Sequence, residues 1–282
     1  MRIGYIDTGV RDPAHAFGTW LDTAARSDPS IAEMRLQLGY FGAEILPYFA
    51  PAMARRRRSG GTVRVLVGSN DGTARQSDVA ALLAAGGPAR PGLRVGVVSF
   101  AVGYFHPKTV HLIRYDGSAA AFIGSSNFTG AGVALNVEAG IVLDTRDGDH
   151  PNMLDAVKAA IDWWFAARRP GLHLVSAAAN LTALARAGVL DVSQPPRPRS
   201  AATRSGASGG RGSSLRPLLK LPGSAPRSSS GPSPASPAAP APVRWTKKLS
   251  ASDAQRKRTG NQRGSITLVE TSAKRLAERA MG

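Results

Sequence analysis

Residues 105–138 of the chain read FHPKTVHLIRYDGSAAAFIGSSNFTGAGVALNVE. β-Branched and small apolar residues lie on both sides of a central Asp-Gly pair, a dipeptide typical of tight hairpin turns. The stretch therefore predicts two antiparallel strands, Lys108–Tyr115 and Ala119–Gly124. His106 and Lys108 stand two residues apart at the start of the first strand, so both side chains point to one face, about 7 Å apart.

The same stretch carries side chains that suit a phosphate group. An imidazole can attack phosphorus or move a proton, and a neighbouring ammonium neutralises charge. The second strand ends in Gly-Ser-Ser-Asn at 124–127. Small residues there let Ser125 and Asn127 approach a non-bridging oxygen closely. Glu138 stands in an apolar run and needs a partner, for which an imidazole is suitable because a carboxylate fixes its tautomer.

Strand-like and helix-like patterns alternate on both sides of this stretch. The further predicted strands are Arg35–Phe41, Thr62–Gly68, Leu93–Phe100 and Val137–Asp144, and the predicted helices are Ala43–Ala54, Ser77–Ala85, Asn152–Arg168 and Ala178–Ala187. This order predicts an α/β fold in which helices flank a mixed β-sheet. The sequence SNDG at 69–72 lacks the Lys and the glycine spacing of a nucleotide-binding loop, and we interpret it as a plain β–α turn.

Positive charge is concentrated in the last third of the chain. Residues 1–190 carry a net charge of +4 and residues 191–282 a net charge of +13. DNA, RNA and an anionic membrane would all attract such a segment. We predict a catalytic domain at 1–190, a disordered linker rich in Pro, Ser, Ala and Arg at 191–242, and a short segment at 243–282 with too few apolar residues for its own core.

Several classes of protein are excluded by composition. The chain has no cysteine, which excludes disulfides, thiolate metal sites and a cysteine nucleophile. No run approaches the ~20 apolar residues of a membrane-spanning helix, and the first residues lack a secretory signal pattern. We expect a cytoplasmic protein without a metal site. His111 points away from Lys108, and His15, His150 and His173 lie in loop-like contexts typical of structural or exposed histidines.

Residues 30–170 resemble the nuclease branch of the phospholipase D superfamily. The family's signature is H-x-K with a downstream G-S-x-N, and this chain has HPK at 106–108, GSSN at 124–127 and an acid further on. The strands and the helix that precede this signature in the family are similar to LQLGYFGAEILPYF, VRVLVGSN and VVSFAVGYFHPK. The usual signature has Asp five residues after the Lys, where this chain has Ile113. The same loss occurs in metal-independent type IIS restriction endonucleases, and Glu138 occupies the place of their glutamate.

The resemblance implies a phospholipase D-like fold and a metal-independent endonuclease that cleaves DNA without a cofactor, with a role in a restriction system. In that chemistry His106 attacks phosphorus to form a phosphohistidine, and a second histidine protonates the leaving oxygen. Lys108 and Asn127 hold the non-bridging oxygens, with Ser125 as an auxiliary donor. Glu138 orients His106. Because the chain has one H-x-K set, the implied active unit is a homodimer with one shared site.

The sequence RWTKKLSASDAQRKRTGNQRGSITLVE at 244–270 resembles the opening of a C-terminal DNA-recognition domain found on some restriction enzymes of this branch. Those domains are several times longer, so we expect a partial DNA-binding-like segment here. Two alternatives stay open: a phospholipid-processing phospholipase D-like enzyme, and a non-catalytic DNA-binding protein with a relic site. The single catalytic set disfavours the first, and the retention of the whole candidate set disfavours the second.

Overall fold

The computed structural model describes residues 4–87, 92–193 and 218–223. Within these ranges the strands are β1 (Gly4–Asp7), β2 (Ile31–Leu38), β3 (Val63–Gly68), β4 (Leu93–Val98), β5 (Lys108–Arg114), β6 (Ala119–Gly124), β7 (Ala139–Asp144) and β8 (Leu172–Val175). The α-helices are α1 (Phe17–Leu21), α2 (Ala50–Ser59), α3 (Gln76–Gly86), α4 (Gly130–Ala134), α5 (Pro151–Ala166) and α6 (Ala178–Arg186). No helix in these ranges is long and apolar enough to cross a membrane.

All eight strands join in one sheet with the order β1-β7-β6-β5-β2-β3-β4-β8. The three neighbours β2, β3 and β4 run parallel, and the other pairs are antiparallel. The predicted α/β fold with a mixed sheet is therefore confirmed. Because β5 runs against β2 and β6, its first residue lies at the edge where β2 and β6 end and β7 begins. We call this edge the upper edge of the sheet.

One face of the sheet is covered by helices through apolar side chains. Helices α1, α2, α3 and α6 lie on this face. Phe17, Met53 and Leu82 of these helices are almost fully buried, in one cluster with Leu36 and Val65 of the sheet. Removal of this apolar surface from water is the main force that holds the helices on the strands.

Helix α5 covers the opposite face. Leu66 and Val98 point to this side and pack against Ile161 and Phe165 of the helix. Strands buried on both faces have no polar side, so their sequences read as continuous apolar runs. This explains why β3 and β4 are predictable from the sequence alone.

The predicted helix Ala43–Ala54 is wrong in its bounds. The chain forms a 3₁₀-helix at Ala43–Tyr48, and α2 starts only at Ala50. Pro47 cannot donate the hydrogen bond that an α-helix interior needs, whereas Pro51 fits the first turn of α2, where no such bond is required.

Two parts of the predicted linker contact the domain: Asp191, which shares backbone hydrogen bonds with Ala74 and Gln76, and the stretch 218–223. The Leu218 backbone N–H donates to the Ala134 carbonyl over 2.8 Å, and Leu221 packs against the main core cluster. Leucines distinguish this short stretch from the Pro-, Ser- and Ala-rich sequence around it, because they offer apolar surface to bury. The stretch 218–223 thus packs on the domain, while the disordered linker expected at 191–242 otherwise stays a prediction. The rest of the linker after 193, like the segment at 243–282, lies outside the described residues.

Candidate active site

The five residues proposed from the sequence all lie at the upper edge of the sheet. His106 stands two residues before β5, and Lys108 is the first residue of that strand. Ser125 and Asn127 follow β6, and Glu138 directly precedes β7. The antiparallel pairing of β5 with β6 and of β6 with β7 turns this separation along the chain into proximity in space.

His106 and Lys108 form the centre of the group. The imidazole is exposed, whereas only 5% of Lys108 is exposed. The Lys108 Nζ donates to the His106 backbone carbonyl over 2.7 Å. Partial burial and, to a smaller extent, the charge of Lys108 lower the pKa of His106. At neutral pH the imidazole is therefore largely uncharged, the form in which a ring nitrogen can act as a nucleophile.

The ammonium of Lys108 is held in an environment that disfavours its charge. Burial lowers its pKa to about 8, and the carboxylate of Glu138 partly opposes this effect. A positive charge with so little water around it interacts strongly with any anion that approaches. This arrangement suits a group that develops negative charge in a transition state.

Tyr40 also belongs to the candidate site, although it was not predicted from the sequence. Its ring meets the His106 ring edge to face, with centroids 5.3 Å apart, and lies 6.0 Å from the Lys108 Nζ. Its carbonyl accepts from the Phe128 N–H over 3.1 Å, which places Asn127 next to this group. An aromatic residue in Gly-Tyr-Phe-Gly, directly after a buried strand, is the signal that could have identified it.

Glu138 is tied to neighbours other than the imidazole. Its Oε2 accepts from the Ser125 hydroxyl over 2.5 Å, and its Oε1 accepts from the Asn136 amide over 3.0 Å. Its backbone N–H donates to the Thr8 hydroxyl over 2.6 Å. Across the described part of the chain, no hydrogen bond joins Glu138 to the His106 ring. The carboxylate thus holds Ser125 in place and faces Lys108, while its predicted orientation of His106 stays a prediction.

Asn127 presents an amide that the protein does not saturate. Its Oδ1 is buried and has no hydrogen-bond partner among the described residues. The backbone behind it is crowded, since a Cβ on Gly132 would collide with the Asn127 carbonyl. The unpaired Oδ1 can only accept a hydrogen bond, so a phosphate oxygen would have to be bound by the N–H groups of the Asn127 Nδ2.

The remaining histidines lie apart from this group. His111 is 1% exposed and lies on the face covered by α5, as its register predicts. Burial and the nearby charge of Arg35 lower the pKa of His111 to about 4. His150 caps the start of α5, where its Nδ1 accepts from the Asn152 N–H over 3.3 Å. Within the described ranges no group of three or more His, Asp or Glu side chains could hold a metal ion.

Comparison with known proteins gives matches in structure only. No protein-family model matches the chain, and no curated protein matches it in sequence. Nuc from Salmonella typhimurium, a phospholipase D family member, is similar over 62% of this chain and 99% of Nuc, with 17% identity and a TM-score of 0.42. NucT from Helicobacter pylori is similar over 58% of this chain and 95% of NucT, with 13% identity and a TM-score of 0.39. The polyphosphate kinase from Porphyromonas gingivalis has 15% identity and a TM-score of 0.41, over 60% of this chain and 24% of the kinase.

Proposed function

We propose that this chain is a phospholipase D-like phosphodiesterase that cleaves DNA without a metal ion, through a phosphohistidine intermediate. One observation carries the proposal. The exposed imidazole of His106 and the buried ammonium of Lys108 both lie beside the Tyr40 ring, at the sheet edge where Ser125, Asn127 and Glu138 are also found. A nucleophile of low basicity next to a preorganised positive charge is the arrangement that phosphoryl transfer needs.

The reaction proceeds in two displacements. The neutral imidazole of His106 attacks phosphorus, a P–N bond forms, and the bond from phosphorus to the leaving oxygen breaks. A second, protonated histidine gives its proton to that oxygen. The same histidine then takes a proton from water, whose oxygen attacks phosphorus and breaks the P–N bond. The products are an alcohol and a phosphate monoester, and both imidazoles return to their initial protonation states.

Lys108 and Asn127 act on the non-bridging oxygens. The ammonium offsets the negative charge of the phosphodiester, and the amide of Asn127 supplies a neutral donor. Ser125 is an auxiliary donor whose hydroxyl is held by Glu138. These groups are set by the fold before substrate arrives, so little free energy is spent on reorganising them during the reaction.

A homodimer supplies the second histidine in this proposal. Each subunit carries one H-x-K set, and a two-fold axis brings the same surface of two subunits together. DNA is the favoured substrate because residues 191–282 carry a net charge of +13, which supports salt-sensitive contacts with phosphates. A role in a restriction system belongs to the same proposal and rests on the resemblance alone.

Incubation of the full-length protein with plasmid DNA in EDTA tests the proposal. We expect nicked or linear DNA, because no step uses a metal ion. The matched control is His150→Ala, which changes an exposed histidine at the start of α5 and is expected to cleave normally. Cleavage that EDTA stops would contradict metal independence. Turnover of phosphatidylcholine vesicles without DNA cleavage would favour the phospholipid-processing alternative, and DNA binding without either activity would favour a relic site.

The dependence of cleavage on pH follows from the two lowered pKa values. The reaction needs one neutral and one protonated imidazole, so we expect kcat/KM to be highest near the pKa of His106, below its ordinary value of about 6.5. On the alkaline side log kcat/KM should fall with a slope of −1, as the acid imidazole loses its proton. The slope should steepen above pH 8, where Lys108 loses its charge.

Lys108→Arg provides the control for this profile. Arginine keeps its charge at every pH used, so the second break should disappear even where the rate is lower. A break that persists near pH 8 in this variant would assign it to another group.

A further inference from the structure

We infer that Asn70 is a positioning residue for His106: its side-chain amide holds the peptide groups of Phe105 and thereby sets where the imidazole stands. Asn70 lies two residues after β3, in the SNDG turn, whose sequence predicts no more than a plain β–α turn. The kinetic consequence of this inference rests on the proposed function, whereas its geometric content does not.

The amide of Asn70 makes three hydrogen bonds, each to a backbone group. Its Nδ2 donates to the Gly39 carbonyl and to the Phe105 carbonyl, each over 3.2 Å. Its Oδ1 accepts from the Phe105 N–H over 3.0 Å. Only 4% of the Asn70 surface is exposed, so water does not compete with these bonds. The side chain therefore pairs with Phe105 at both its N–H and its carbonyl, as a neighbouring strand would.

This pairing connects three segments that come very close to one another. A Cβ on Gly39 would lie 2.9 Å from the His106 Cα, and a Cβ on Gly68 would lie 2.6 Å from the carbonyl oxygens of Gly39 and Phe105. Glycine is needed at both positions because the backbones of β2, β3 and the segment before β5 nearly touch. Asn70 supplies the hydrogen bonds at the point where these segments converge.

The side chain of Phe105 provides a second anchor, from the other side. Its ring meets Trp164 edge to face at 5.3 Å and belongs to the cluster formed with Ile161 and Phe165 of α5. This packing fixes the side chain, and the amide of Asn70 fixes the peptide groups. Because Phe105 directly precedes His106, a shift of its backbone moves the imidazole by a similar amount.

Loss of the Asn70 amide leaves buried polar groups without partners. The Phe105 N–H and the two carbonyls would each need a new donor or acceptor, which the buried position does not supply. The backbone before His106 is then expected to shift until these groups find partners. A misplacement of about 1 Å in a reacting group can reduce a rate by about 10²-fold.

The experiment compares Asn70→Ala and Asn70→Asp with Asn180→Ala in the full-length protein. Asn180 is a matched control, because its Oδ1 also accepts from backbone N–H groups, of Ser176 and Ala177, but at the start of α6. Asn70→Asp keeps the size and the acceptor while it replaces the donor with an oxygen that faces two carbonyls. Each variant is measured for its Tm, its DNA affinity, its kcat on plasmid DNA and its histidine ring resonances by NMR, with His106 assigned from His106→Ala.

We expect both Asn70 variants to lower kcat by about 10²-fold, while their DNA affinity stays within about two-fold of wild type. In the NMR spectra the His106 resonances should shift, and the pKa of the His106 ring should rise. Asn180→Ala should lower the Tm and change neither kcat nor the His106 signals. Should the wild-type protein not cleave DNA, the NMR measurement still decides the positioning role. A folded Asn70 variant with wild-type His106 signals would overturn the inference, and so would failure of both Asn70 variants to fold, since Asn70 would then support the whole domain.

Discussion

His106→Ala is expected to lower kcat/KM for DNA cleavage by at least about 10⁴-fold, because both displacements of the proposed mechanism depend on a P–N bond that the variant cannot form. Because the imidazole is exposed, its removal leaves little or no cavity in the core, so the Tm should change little. Binding of DNA should also persist, because His106 does not belong to the basic C-terminal region. Quantitative cleavage of a labelled plasmid and a Kd measured at several salt concentrations check the two halves of this prediction.

The control for binding is the slope of log Kd against log salt concentration. Phosphate contacts determine this slope, so His106→Ala and wild type should have the same value. A variant that cleaves within about ten-fold of wild type would remove His106 from the role of nucleophile. A variant that loses both cleavage and binding would assign the residue to DNA contact instead.

Mixtures of wild-type and His106→Ala subunits test the shared site. If both imidazoles of a dimer are required, activity after subunit exchange should follow the square of the wild-type fraction. A linear decrease would show that each subunit works by itself. Light scattering on the active protein should give the mass of a dimer, and a fully active monomer would contradict the two-subunit mechanism.

Lys108→Met is expected to lower kcat by about 10²- to 10³-fold, the range found when one preorganised charge or donor is removed from a transition state. Methionine fills a similar volume and carries no charge. Because the interaction strengthens as negative charge develops on the phosphate, kcat should fall more than the affinity for DNA. Steady-state kinetics on a short duplex would measure both. Equal losses in kcat and affinity would instead indicate a simple DNA-binding lysine.

The same substitution should stabilise the fold at neutral pH. The pKa of Lys108 falls from 10.5 in the unfolded chain to about 8 in the folded protein, so its charged form is disfavoured by folding. The free energy of unfolding of wild type therefore rises between pH 8 and pH 10.5, as the unfolded state loses its extra proton. We expect the free energy of unfolding of Lys108→Met to exceed that of wild type by at most about 3 kcal/mol at pH 7, and this difference to shrink above pH 8. Chemical denaturation at pH 7 and pH 10 measures it, and a destabilised variant at pH 7 would contradict this account.

Local patterns in the sequence predict much of the sheet. Strand β3 is found at Val63–Gly68 against a predicted Thr62–Gly68, and β6 has the predicted bounds Ala119–Gly124. Both strands are continuous apolar runs bounded by turn residues, and such runs report burial without knowledge of their partners. The short strands β1 and β8 were missed, because four residues carry too little pattern and gain their stability from the strand beside them.

The contacts around the candidate site are of a different kind, because they join residues far apart along the chain. Thr8 and Glu138 are 130 positions apart, and Asn70 and Phe105 are 35 apart. No period or spacing links such pairs. The pairing of Glu138 with Ser125 and Asn136 was likewise unpredictable, since the sequence shows a carboxylate in need of a partner but not which partner the fold brings to it.

The amino-acid sequence by itself determined the α/β class, the hairpin and the identity of five side chains that could act on a phosphate. These features depend on turn chemistry, on alternation within strands and on the reactivity of each residue type, all of which are local. Only the tertiary structure decided that Tyr40 and Asn70 accompany His106, and that Lys108 is buried enough to lower its pKa to about 8. Proximity, burial and the electrostatic environment arise when distant segments pack together, so local patterns in the sequence do not predict them.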